Sequence, residues 1–88
     1  MAPRDRRSYQ AGKAAQKGFT AAERRAFLHG LPVQWKGGGK WNPGVVNGTI
    51  RKDATGRDYI EVRNTGAATR NVDSGEITRA YPGSVRKG

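Results

Sequence analysis

Eighty-eight residues, 34% apolar and 8% aromatic, leave room for one small core and exclude two, since a lone core needs roughly 55 to 65 residues. Seventeen Lys and Arg against seven Asp and Glu give a formal net charge of +10, which calls for an anionic partner. DNA or RNA comes first, because each phosphate neutralised by a basic side chain releases condensed counterions. With no cysteine and a single histidine, neither a disulfide scaffold nor a zinc centre is expected.

At the start of the chain, "MAPRDRRSYQ" is charged and has no apolar run behind it, so neither a signal peptide nor an anchor is expected. No stretch approaches the roughly 20 apolar residues of a membrane span. The expected location is intracellular, cytoplasmic or nucleoid-associated, or within a viral particle, and no membrane partner is expected. Residues 1–30, rich in Ala, Arg, Lys and Gln, read as a basic helical arm in which Arg4, Arg6 and Arg7 add reach toward a polyanion and order on binding. A weak helix is predicted over residues 8–17, opposed by Gly12 in its interior and stopped by Gly18.

The clearest boundary signals stand in "FTAAERRAFLHG". Thr20 and Glu23 make a T-x-x-E capping box, and Gly30 offers a left-handed stop, so a helix is predicted over residues 21–29. Two helices around "GFT" outline a helix-turn-helix, but the hydrophobic core that must back a recognition helix is missing. After Gly30 the pattern changes to short alternating runs: Val33 and Trp35, then Val46, Gly48 and Ile50, then Ile60 and Val62, then Val72, then Ile77. Explicit breaks separate them, at the triple glycine 37–39 with Asn42-Pro43-Gly44, at "DATG", at "NTGA" and at "DSG". Four or five antiparallel strands result, and closure into a barrel would hide their edges. Residues 81–88 read as a short basic tail.

This succession resembles the Tudor-type SH3-like barrels over residues 31–80. The likeness lies in V-x-W, a Gly-rich turn, an aromatic near Pro43 with a small residue and two β-branched residues after it, then "YIEVRNTG" and "VDSGEI". The same outline serves chromo-like barrels, DNA-binding integrase-type C-terminal barrels and KOW modules. The resemblance implies a mainly β fold, a small antiparallel barrel of four to five strands, and says less about activity. Tudor readers of methylated side chains use an aromatic cage. Setting Trp35 and Pro43 on the family's tryptophan and proline places Asn42 at a cage aromatic and brings Asn64 and Ala67 near the others, so the cage is missing. Trp41 stands one residue out of step and therefore faces the other way.

Trp35 reads as a core residue. Trp41 either covers an end of the barrel or stacks on an exposed base. The glycines at 37–39 read as a flexible turn and not as a phosphate loop, since neither Lys-Ser/Thr nor a helix follows them. Lys36, Lys40, Arg51, Lys52, Arg57, Arg63 and Arg70 fall at strand ends and turns, where they can converge on one barrel face, with Arg24 and Arg25 on the arm. Converging carboxylates, a nucleophile with its base and metal ligands are all lacking, so the protein is not expected to be an enzyme or to take a cofactor or a small-molecule substrate. The expected function is binding of DNA or RNA through the phosphate backbone with little sequence preference. The alternative is a protein-interaction or structural module docked in a larger assembly, such as a ribosome, a polymerase or a viral particle.

Overall fold

A computed structural model describes residues 18–88; the helix expected over residues 8–17 lies outside them. Helix α1 (Ala21–Ala26) opens with both halves of the capping box, Glu23 N–H donating to Thr20 Oγ1 at 3.1 Å and Thr20 N–H to Glu23 Oε1 at 2.8 Å. It ends three residues short of the sequence expectation. Phe27 leaves helical geometry, with ψ near 71°, to turn its ring against Phe19 edge-on at 5.5 Å. Burying those two rings outweighs one more helical turn.

Five antiparallel strands follow: β1 (Pro32–Gly37), β2 (Lys40–Lys52), β3 (Asp58–Asn64), β4 (Ile77–Ala80) and β5 (Val85–Lys87). They form one sheet in the order β4-β3-β2-β1-β5. The fold is mainly β, and its strand order is compatible with an SH3-like or Tudor-like barrel. The expected closure does not occur, because β4 and β5 remain the two edges. The sheet is nevertheless curled. Flat, its edges would stand about 19 Å apart, yet the link from Ala80 to Val85 reaches at most about 17 Å, and a Ser84 N–H to Tyr81 O bond of 2.8 Å shortens it further. The two edge strands, of four and three residues, do not pair with each other across the seam.

Val33, Trp35, Val46, Ile60, Val62, Ala80 and Val85 fill the inside of the curl, and Phe19 and Phe27 complete the same cluster from the N-terminal side. Three expectations are corrected here. Val72 belongs to no strand but to the irregular stretch between β3 and β4. Ile77 is 38% exposed, because the register Ile60↔Ala80 turns Ala80 inward and Ile77 outward. Residues 85–87, expected as tail, pair with β1 through Val33↔Lys87 and Trp35↔Val85. Val46 and Ile50 turn toward the same core, as expected, although the β2–β3 register shifts between Asn47 and Arg51.

Where β2 crosses beneath Trp35 there is no room for a side chain. A Cβ on Gly44 would stand 2.8 Å from the Arg63 carbonyl oxygen and 2.6 Å from Val62 Cγ1. The carbonyl cannot retreat without opening the β2–β3 ladder. Gly44→Ala is therefore expected to cost about 1–3 kcal/mol, read as a lower midpoint in urea unfolding; an unchanged midpoint would contradict this packing. Among the described residues, no helix is long and apolar enough to cross a membrane.

Candidate nucleic-acid interface

The β1–β2 hairpin is closed by Gly38 and Gly39 alone, with φ of 62° and 79°. Two successive positive φ values define the tight turn that matches strand twist, and glycine takes them without a Cβ clash. The stretch expected to be a turn is one, and its two central residues have a defined tight geometry. Asn42 holds it from inside, its Nδ2 donating to the carbonyls of Trp35, Gly37 and Lys40 at 3.3, 3.1 and 3.1 Å. A second asparagine does the same for the stretch after β3. Asn64, fully buried, donates from Nδ2 to the carbonyls of Ala67, Val72 and Asp73, and its Oδ1 accepts from Gly66 N–H at 3.0 Å. These two asparagines occupy positions where the resemblance places cage aromatics, and they work as braces.

Between the two braced loops lies a groove of ≈ 760 Å³, lined among others by Lys40, Trp41, Asn42, Pro43, Gly66 and Arg70. A smaller hollow of ≈ 330 Å³ adjoins it across Gly37, Gly38, Thr69 and Arg70 and adds Lys36. No Asp or Glu lines either one. Three of the described acids are committed elsewhere: Glu23 in the helix cap, Asp53 in the β2–β3 turn, Asp58 in ion pairs. Trp41 is half-buried on the outer face. Arg86 sets its guanidinium 4.0 Å from the ring centroid and Lys36 its ammonium 5.1 Å away. Such contacts are worth about 0.5–1 kcal/mol each at exposed sites. Arg86 is also fixed by donating from Nε to Gln34 Oε1 at 2.7 Å.

The basic residues singled out in the sequence thus separate into groups. Lys36, Lys40 and Arg70 gather with Trp41 around the groove. Arg63 is exposed on the outer face and donates to Gly75 O at 2.8 Å. Arg24 and Lys52 instead hold the buried Asp58 carboxylate at 2.6 and 2.7 Å. Arg57 lies 4.5 Å over the Tyr81 ring, beside Arg79 over Tyr59 at 4.3 Å, while Tyr81 Oη donates to Asp53 Oδ2 at 3.1 Å. Hydrogen bonds from Thr55 Oγ1 and Arg57 N–H hold the Asp53 carboxyl far below the usual carboxylate range. Arg25 and Arg51 are exposed and make no ion pair among the described residues. Arg4, Arg6 and Arg7 lie outside the described residues.

Sequence reasoning missed Arg86, because a three-residue run with one apolar member, Val85, gives too little alternation to announce a strand. Among the described residues, no group of three or more His, Asp or Glu side chains comes together to hold a metal ion. Compared with known proteins, the chain matches no family model, no curated protein and no solved structure.

Proposed function

We propose that this chain binds nucleic acid through the phosphate backbone, with Lys36, Lys40, Arg70 and Arg86 as the principal contacts around the Trp41 groove. The observation that carries this reading is one-sided charge: cations line the groove and its neighbouring hollow, and no carboxylate does. A net charge of +10 adds long-range attraction. In this reading the curled, unclosed sheet is related to the Tudor-type SH3-like folds, with bracing asparagines at or near the cage-aromatic positions, so recognition of a methylated basic tail is not its task.

Fluorescence anisotropy with random-sequence oligonucleotides tests the proposal. Four phosphate contacts give a log–log salt slope near −3, or about a 60-fold loss of affinity between about 50 and about 200 mM salt. Replacing Lys36, Lys40, Arg70 and Arg86 together by alanine is expected to flatten that slope by about 3 while the folded circular-dichroism spectrum is retained, the melting temperature falling by the worth of the lost Trp41 contacts. No binding at low salt ends the proposal, and an undiminished slope moves the contact elsewhere.

A second reading, docking in a larger assembly, draws on the open edges at β4 and β5 and on Leu28, 62% exposed. A partner that survives nuclease treatment in a pull-down favours it over a nucleic-acid bridge.

A further inference from the structure

Asn42 and Asn64 make the same brace but do not use the same atoms. Each directs Nδ2 at three carbonyls, which fixes the orientation of the carboxamide, because exchanging oxygen and nitrogen would set a carbonyl oxygen against three others. Asn64 Oδ1 then accepts the Gly66 N–H. Asn42 Oδ1 accepts no hydrogen bond from the described residues, although Asn42 is only 6% exposed and lines the groove. A buried carbonyl oxygen left without a donor is unfavourable, so such a side chain among the residues that line a groove points to a donor on the groove's occupant.

The surroundings restrict that ligand. Trp41 gives the groove flat apolar surface, and Gly66, which packs against Pro43, with Ala67 and Ala68 adds almost no side-chain bulk. Lys40 and Arg70 add cations to the same lining. The volume of ≈ 760 Å³ falls inside the span of roughly 300–1,000 Å³ typical of sites that enclose a small molecule. A planar ring with an N–H on its edge and a phosphate on either side satisfies all of these features at once.

We infer that the groove takes an unpaired nucleobase of a single strand, stacked against Trp41 and donating an N–H to Asn42 Oδ1. The inference rests on the phosphate-binding reading above and narrows it. In a duplex the base faces are stacked and the pairing edges occupied, so paired bases do not enter, whereas a single strand offers both. Every base carries an edge N–H donor, so little discrimination among bases follows.

The test compares three fluorescent probes of about ten nucleotides on the full chain at one salt concentration: oligo-dT, the same strand with abasic sugars, and a duplex. Oligo-dT is expected to bind roughly tenfold tighter than the abasic strand, the gain of stacking one base, and tighter than the duplex. Trp41→Ala is expected to bring the ratio of oligo-dT to abasic affinity close to one, and leaves a surface residue changed with the core intact. Equal, salt-sensitive binding of oligo-dT and the abasic strand overturns the base pocket and leaves phosphate binding standing. Duplex binding as tight as that of oligo-dT overturns it as well. If none of the probes binds, both readings fall.

Discussion

Replacing Trp35 by alanine is expected to lower the unfolding free energy by about 3–5 kcal/mol, the range for truncating a large buried aromatic. Trp35 is 3% exposed, its Nε1 donates to Pro43 O at 3.1 Å, and its ring lies so close over Gly37 that a Cβ there would collide with it. It therefore ties β1 to β2 through Pro43 as well as filling the core. For a domain of this size the loss corresponds to a fall in melting temperature of about 12 °C or more, checked by thermal circular dichroism. Since Gly37 and Pro43 line the groove, nucleic-acid affinity is expected to fall with stability. A melting curve close to the parent's would mean that the ring is not the keystone of this core.

The second large effect is at Asp58. Its carboxylate is 1% exposed and accepts from Lys52 Nζ, from Phe19 N–H and from Arg24. The Lys52 hydrogen bond leads, with the Phe19 N–H and the Arg24 charge adding to it, and together they hold the carboxyl below its ordinary 3.8 against the opposing effect of burial. Asp58→Ala is expected to cost about 2–4 kcal/mol. That lies below the toll for a fully buried pair, because both cations are about half exposed and rehydrate, while the Phe19 N–H loses its acceptor. The pH dependence has a definite sign. With the folded pKa lowered, the stabilisation is complete above the ordinary carboxylate range and is lost as pH falls through the depressed value. Urea midpoints measured from neutral pH downward are expected to fall in acid for the parent and to fall less for Asp58→Asn. Parallel acid profiles would assign the pH dependence to other carboxylates.

The sheet was legible in the sequence wherever alternation ran long enough. Val33-Gln34-Trp35 and Ile60-Glu61-Val62 foretold inward and outward faces, and Thr20 with Glu23 foretold where α1 begins. What escaped was set by tertiary contact. Residues 85–87 are strand because β1 offers them an edge, and Ile77 faces out because the β3 register, not its own hydrophobicity, decides its side. The basic residues were visible as an excess of charge, but their roles were not. Arg24 and Lys52 look no different in sequence from Lys40 and Arg70 until Asp58 is placed between the first two. Asn42 and Asn64 hold carbonyls only two to nine positions away, but an asparagine beside a Gly-rich turn serves as readily with its amide in solvent, so residue type alone did not announce the brace.

The pairing of β1 on both sides has a kinetic meaning. One neighbour, β2, is reached through a two-residue turn; the other, β5, through contacts such as Gln34 with Arg86, 52 positions apart. Loop-closure entropy makes the first cheap and early and the second late. The hairpin is thus expected to form early and β5 to dock late, carrying Arg86 onto Trp41. By the same logic β5 is expected to be among the first pieces to open in native-state hydrogen exchange, and its opening would take the cation nearest the tryptophan ring with it.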